Sequence, residues 1–274
     1  MVGFNTDFME KVHADYSKFL KELLYKNRFF CEGEFTQKIQ ELSSLVGKEV
    51  ETGTKLYRAR IMSGITRAKG VSGDGIDILF QAGKFSNSPS GEEIHEALRE
   101  LGIWGYNQKN SGMAPVEKSV EGRANPRFIS YLYVAREKYT AVAESKPYMG
   151  ENISIATYNV KIPLKIFDIS TRRNCWEDAT YADILNNFLS MKFSSPLRDG
   201  SKDYIATQYI AEYIKKLGFD GVCFSSSLHK GGKNITLYSD KKVEFEKSEV
   251  YEVKDIVIKT APRAPRDAED INIG

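Results

Sequence analysis

The chain up to residue 47 repeats apolar side chains at helical spacing. A first apolar stripe consists of Phe8, Val12, Phe19, Leu20, Leu23 and Leu24. A second begins near Thr36, places Ile39, Leu42 and Val46 on one face, and ends at Gly47. Apolar residues three and four apart lie on the same side of a helix, and a glycine is a common helix end. We therefore predict an α-helical hairpin over residues 6–47.

The rest of the chain mixes strand patterns with helix patterns. The segment KLYRARI, residues 55–61, alternates, and a strand there would place Leu56, Arg58 and Arg60 on one face. Further strands are predicted at 128–134, 152–160, 164–169, 221–225, 234–238, 243–245 and 255–258. Helices are predicted in REKYTAVAES, which ends at Ser145, and at 178–193 and 203–217. The fold class is therefore α+β.

Residues 62–121 are rich in glycine, serine and asparagine, and we expect loops there, as in a lid or an insertion around a site. One helix is signalled inside this segment. Ser90 and Glu93 have the spacing of a capping box. They are followed by an apolar stripe and a terminating glycine: Ile94, Leu98, Leu101 and Gly102.

Composition limits the classes of function. A chain of 274 residues that is 41% hydrophobic can form one large domain with an appendage. The formal net charge of +2 gives no overall attraction to nucleic acid or to an anionic membrane, so an anion site must be local. Three scattered cysteines form neither a disulfide framework nor a zinc pattern. We find no signal peptide and no apolar run of ~18 residues, and we expect a cytoplasmic protein with no membrane or direct nucleic-acid partner.

Common catalytic motifs are missing. The three histidines have no ligand partner at useful spacing, and we expect no metal site. Neither GxxxxGK[ST] nor GxGxxG occurs, and no nucleophile elbow surrounds the serines near His229. The two arginines of 55–61 form a local anion site, or alternatively the solvated basic face of an edge strand.

The segment GRANPRFISYLYVAREKYTAVAES, Gly122 to Ser145, concentrates the remaining chemistry. Arg123 lies in a turn before the predicted strand, Tyr133 lies on that strand, and Glu144 follows on a helix. A strand followed directly by a helix packs back on itself, so these groups can approach one another. The alternative for Glu144 is a solvent-facing helix acid. The later segment FDGVCFSSSLHKGGKN ends a short strand in three serines, which suits either a site loop or a polar turn.

Taken in order, LYRAR, GRANPRFISYLYVAREKYTAVAE and GFDGVCFSSSLHKGGKN resemble the RES-domain family, named for arginine, glutamate and serine. The resemblance runs from about Lys55 to Tyr238. It maps the family's functional residues onto Arg58 (or Arg60), Arg123, Tyr133, Glu144 and Ser226 (or Ser225). The N-terminal helices depart from compact family members and resemble longer ones. The layout implied is a helical extension at 1–50, a RES domain at 51–260 and a tail at 261–274.

The resemblance implies an ADP-ribosyltransferase-like mixed β core with flanking helices, and NAD+ as the substrate without a further cofactor. Members cleave the nicotinamide–ribose bond with water or phosphate as acceptor, and many are toxins paired with an Xre-type helix-turn-helix antitoxin. The implied roles are phosphate binding by Arg58, Arg60 and Arg123, cover of the nicotinamide by Tyr133, charge stabilisation by Glu144 and hydrogen bonding by Ser226. Alternatives are a mono-ADP-ribosyltransferase, a catalytically silent NAD-binding module, and a free-standing phage-defence effector.

Overall fold

A computed structural model describes residues 6–62, 90, 93, 97, 105–171, 178–195 and 202–257. Over these ranges the chain forms one mixed sheet with helices packed against it. None of the helices described there combines the length and apolar character that crossing a bilayer requires.

The predicted N-terminal hairpin is present as α1 (Thr6–Tyr25) and α2 (Glu34–Val46). Val12, Phe19 and Leu23 of the first stripe and all of the second stripe are buried, whereas Phe8, Leu20 and Leu24 are half-buried, and Tyr16 and Phe35 add buried rings that the stripes did not include. The buried residues join the larger hydrophobic cluster, which also contains residues of the sheet and of two later helices. Burial of this stripe is the main stabilising term for such helices, because their propensity alone is weak in water.

Eight strands build the sheet: β1 (Gly47–Val50), β2 (Lys55–Ile61), β3 (Leu132–Ala135), β4 (Asn152–Val160), β5 (Leu164–Asp168), β6 (Gly221–Ser225), β7 (Lys233–Leu237) and β8 (Val243–Glu252). Their order is β1-β5-β6-β7-β3-β2-β4-β8, and among these described strands β5 and β6 form the one parallel pair. The sequence prediction of an α+β fold with a mixed β core and flanking helices is confirmed.

The sheet consists of two halves that are joined weakly. All seven residues of β2 pair with β4, and all four of β3 pair with β7. Between β2 and β3, in contrast, the only residue pair is Tyr57 with Ala135. Beyond that pair the two strands separate, which leaves a cleft between the half-sheets.

The remaining helices are α3 (Gln108–Ser111), α4 (Lys138–Ser145), α5 (Tyr181–Ser194) and α6 (Lys202–Lys216), with a 3₁₀ turn at Val116–Lys118. Helices α5 and α6 pack with the hairpin. Helix α4 contacts β2 and β4 of one half-sheet and β3 and β7 of the other, so it lies beside the cleft.

Local patterns predicted most elements well, and two predictions were wrong. The strand predicted at 128–134 begins only at Leu132. Of the strand predicted at 255–258, residues 255–257 are not in a strand and residue 258 lies outside the described residues. The Ser90–Glu93 capping box is confirmed, since each residue bonds the other's backbone amide. The stripe at Ile94, Leu98 and Leu101 with Gly102, and the predicted tail 261–274, lie outside the described residues.

Candidate active site

A cavity of about 280 Å³ occupies the cleft between the half-sheets. Five of the residues singled out from the sequence line it together: Arg58, Arg60, Arg123, Tyr133 and Glu144. They come from β2, the turn before β3, β3 itself and α4. The separation of β2 from β3 therefore brings together groups that are far apart in the chain.

Arg58 and Arg60 lie on β2 just past the point where the strands separate. Arg58 Nη1 and Arg60 Nε are buried, and neither atom has a hydrogen-bond partner in the described part of the chain. Arg60 does donate to the backbone oxygen of Gly112 over 3.0 Å. Burial, and then the neighbouring charge of Arg60, lowers the pKa of Arg58 to about 10, and burial lowers the pKa of Arg60. Two half-buried guanidinium groups side by side in a cavity suit an anionic ligand.

The turn that carries Arg123 is specified by its neighbours. Tyr133 donates its hydroxyl proton to Asn125 Oδ1 over 2.6 Å and accepts from the amide of Ala124 over 3.2 Å. The Asn125 amide group donates to three backbone oxygens of the surrounding loop, those of Val120, Pro126 and Ile129. A Cβ at Gly122 would lie 2.7 Å from both Asn125 Oδ1 and the Tyr133 hydroxyl. Only glycine fits there without a shift, so the Gly-Arg-Ala-Asn sequence holds the turn in place.

Arg123 and Tyr133 therefore both form hydrogen bonds within the protein as well as lining the cavity. Arg123 Nη1 donates to the backbone oxygen of Phe193 over 3.2 Å, which ties the guanidinium to the end of α5. Burial raises the pKa of Tyr133 to about 12, so its hydroxyl stays protonated and acts as the anchor of the turn. What Tyr133 offers to the cavity is its ring.

Glu144 is half-buried near the end of α4 and is held by two side chains. Ser226 Oγ and Asn234 Nδ2 each donate to Glu144 Oε1 over 2.7 Å. The other oxygen, Oε2, has no protein hydrogen bond in the described residues. Glu144 is therefore not a solvent-facing helix acid, the alternative considered above. It lines the cavity, with Oε1 held by hydrogen bonds and Oε2 available to a ligand.

The three consecutive serines have different partners. Ser226 is bound to Glu144, whereas Ser225 Oγ donates to the backbone oxygen of Ser170 over 2.8 Å. Ser226 Oγ also accepts from the amides of Leu228 and His229. Its proton and its lone pairs are therefore occupied, which leaves a supporting role for Ser226 rather than a nucleophilic one.

Sequence reasoning missed Asn234 as a site residue. The residue lines the cavity and binds Glu144 from β7. A signal was present, because Asn234 closes the glycine loop that follows the three serines. An asparagine at a strand start has many roles, however, and its partner is 90 positions away in the chain.

Apolar groups complete the cavity, among them Phe224, Val134 and Ala141. In the described part of the chain, no group of three or more His, Cys, Asp or Glu side chains is arranged to hold a metal ion. The arrangement can bind an anion at one side, cover a flat ring, and place a carboxylate beside a developing positive charge.

Comparison with known proteins places this geometry in a family. A search of curated protein sequences finds no match. A solved crystal structure of the Mycobacterium tuberculosis MbcT–MbcA toxin–antitoxin complex contains a similar chain, with a TM-score of 0.38 and 14% sequence identity, covering 79% of this chain and 93% of that one. The family model of the RES domain matches residues 99–259. Because that match spans more than half of the chain, the protein belongs to the RES-domain family.

Proposed function

We propose that this protein cleaves the nicotinamide–ribose bond of NAD+. One observation carries the proposal: in a RES-family chain, a single cavity contains a pair of half-buried arginines and a carboxylate held by two hydrogen bonds. NAD+ requires both features, since it carries a pyrophosphate and forms a cationic ribose during cleavage.

The arginines would bind the pyrophosphate. A guanidinium presents planar, paired N–H donors that match phosphate oxygens. Arg58 and Arg60 line the cavity side by side on β2, and Arg123 adds a third charge from the turn, so phosphate oxygens would meet three guanidinium groups there. The ring of Tyr133, with Phe224 nearby, would cover the nicotinamide or its ribose by stacking.

Glu144 would stabilise the reacting sugar. When the bond between ribose C1′ and the nicotinamide nitrogen breaks, the electron pair leaves with nicotinamide, which becomes neutral. The ribose is left with oxocarbenium character, and a fixed carboxylate nearby lowers the energy of that charge. Water or phosphate then bonds to C1′ and releases a proton to solvent, which gives ADP-ribose or its 1″-phosphate. Nicotinamide is already a good leaving group, so the scheme calls for no metal.

The biological outcome we propose is NAD+ depletion and growth arrest. We place the protein in the cytoplasm as a toxin or a defence effector. Its partner would be an Xre-type helix-turn-helix antitoxin, as is common for the family that the sequence resembles.

The test is to incubate the purified protein with NAD+, with and without phosphate, and to identify the products by mass spectrometry. We expect free nicotinamide together with ADP-ribose, or with its 1″-phosphate when phosphate is present. ADP-ribose attached to a protein or nucleic acid would instead show a mono-ADP-ribosyltransferase. Binding of NAD+ without nicotinamide release would show a silent binding module and would overturn the proposal.

A further inference from the structure

A chain of three polar side chains outside the cavity joins α4 to the loop that carries Ser226. We call residues 226–232 the serine loop. Thr140 Oγ1 donates to Glu137 Oε2 over 2.7 Å and lies 2.7 Å from Nδ1 of His229. Thr140 is fully buried. None of these three side chains lines the cavity, so none would contact NAD+ in the proposed reaction.

The hydrogen bonds of Thr140 can be assigned by counting protons. An ionised carboxylate only accepts, so the single hydroxyl proton of Thr140 goes to Glu137. The contact with His229 then requires Nδ1 to carry a hydrogen and to donate it to Thr140. The same oxygen of Glu137 also accepts from the amide of Lys233, just after the serine loop, over 3.3 Å. Two points of the loop region are thereby fixed to the start of α4.

The backbone of the loop is fitted closely to this contact. A Cβ at Gly232 would lie 2.4 Å from Thr140 Oγ1 and 2.6 Å from His229 Nδ1, so only glycine allows the approach without a shift. The loop is closed by hydrogen bonds from the Ser226 amide to the Gly232 oxygen (2.8 Å) and from the Gly232 amide to the His229 oxygen (3.0 Å). Fixing His229 therefore restrains Gly232 and, through it, Ser226.

We propose that Thr140 is a positioning residue for Glu144, acting through His229 and the serine loop. The amides of His229 and Leu228 donate to Ser226 Oγ, and Ser226 Oγ in turn donates a hydrogen bond to Glu144 Oε1. The inference rests on the proposed function, since it assigns Thr140 to the geometry of the carboxylate that stabilises the ribose. A loop free to shift would carry Ser226 away from Glu144, and errors of about 1 Å in a reacting group are costly.

The main experiment compares Thr140→Val with Thr140→Ser in NAD+ consumption. Valine keeps the shape and removes the hydroxyl, and serine keeps the hydroxyl. We expect kcat to fall about 10- to 100-fold in Thr140→Val with KM for NAD+ within about 2-fold of wild type. Thr140→Ser should retain most of kcat. Equal kcat values for the two variants, with active wild type, would overturn the inference alone.

A second pair of variants tests the other end of the contact. An asparagine amide can donate from nearly the same position as His229 Nδ1, whereas leucine cannot. We expect His229→Asn to keep kcat within about 3-fold of wild type and His229→Leu to resemble Thr140→Val. If Thr140→Val does not fold, this pair decides the question. Similar kcat values for His229→Asn and His229→Leu would count against the inference.

An assay without turnover separates this inference from the proposed function. Amide hydrogen exchange over residues 226–232 should be faster in Thr140→Val than in Thr140→Ser, with α5 unchanged. Identical exchange in the two variants would overturn the inference. Wild-type protein that releases no nicotinamide would overturn the proposed function and the inference that depends on it.

Discussion

Two walls of the cavity satisfy their polar groups in opposite ways. The carboxylate wall consists of Glu144 and Asn234, supported by Ser226, which does not itself line the cavity, and Glu144 Oε1 accepts two hydrogen bonds of 2.7 Å from Ser226 and Asn234. The arginine wall consists of Arg58 and Arg60, whose Nη1 and Nε atoms are buried without a partner in the described residues. Within the described residues, Glu144 Oε1 has its hydrogen-bond partners and these two arginine nitrogens do not.

This difference in hydrogen bonding indicates that one wall binds the ligand and the other takes part in catalysis. A buried donor without a partner costs stability, typically ~1–3 kcal/mol, and the cost is recovered when a ligand supplies the acceptor. The arginine wall therefore has the character of a binding surface. A group held by neighbours before the substrate arrives needs no reorganisation during the reaction. The carboxylate wall therefore has the character of a catalytic group, and variants of the two walls should give different kinetic signatures.

The largest expected effect is on the carboxylate wall. Glu144→Gln keeps the shape and removes the charge, and we expect kcat for NAD+ consumption to fall ~100- to 1,000-fold, the range found for loss of one preorganised group. The melting temperature should change little, because an amide oxygen can still accept from Ser226 and Asn234. Turnover at the wild-type rate by the purified variant would remove Glu144 from the mechanism.

The next effect should be on the arginine wall and should appear in KM. Arg58→Met keeps most of the volume and removes the charged donors, so we expect KM for NAD+ to rise about 10- to 100-fold, as for the loss of a charge-assisted hydrogen bond. The measurement is steady-state kinetics over a range of NAD+ concentrations. An unchanged KM would exclude Arg58 from pyrophosphate binding.

The stability of Arg58→Met gives a second test of whether Arg58 is a binding residue or a structural one. Arg58 is a desolvated cation whose pKa is lowered to about 10, with Arg60 beside it. Replacing such a group by an apolar side chain is often neutral or stabilising. We expect the free energy of unfolding of Arg58→Met to equal or exceed that of wild type by about 1 kcal/mol in urea titrations. A loss of several kcal/mol would show that Arg58 is a structural residue.

A smaller effect should follow the loss of Asn234. Asn234→Ala removes one of the two donors to Glu144 Oε1, and we expect kcat to fall about 10-fold while KM stays near the wild-type value. Asn234→Asp is the informative companion, since a second carboxylate beside Glu144 repels its charge and should lower kcat further. Activity equal to wild type in both variants would leave Ser226 as the residue that positions Glu144.

The smallest effects distinguish the neighbouring serines. Ser226→Ala should lower kcat about 3- to 10-fold, because it removes a hydrogen bond to Glu144 and the acceptor for two loop amides. Ser225→Ala is the matched control, since in the described residues its hydroxyl bonds the backbone oxygen of Ser170 and not Glu144. We expect kcat of Ser225→Ala to stay within about 2-fold of wild type. The reverse order would assign the family's serine to Ser225.

Local periodicity determined much of the architecture. The hairpin, β2, β4 and β6 were predicted from the spacing of apolar residues, because a helix face and a strand face each repeat with a fixed period. The same alternation predicted that Arg58 and Arg60 share a face of β2. What it did not indicate was whether that face is exposed, since burial depends on the elements that pack nearby.

The strand predicted at 128–134 shows where local pattern is insufficient. Its first residues alternate, but Phe128 has a φ of 70°, which no strand contains. The Asn125 side chain donates to the backbone oxygens around this turn, including that of Ile129, and so competes with strand pairing. Strand geometry begins only at Leu132, where β7 supplies the partner.

The sequence by itself determined which chemical groups the protein has and which faces of its helices and strands they occupy, because those faces follow from backbone geometry. Tertiary structure alone decided that β2 and β3 separate after a single pair, and that Glu144 is held by Ser226 and Asn234, 82 and 90 positions away. A hydrogen bond depends on a distance of about 3 Å between particular atoms. The packing of distant segments sets such a distance, and it cannot be derived from the number of residues between the two groups.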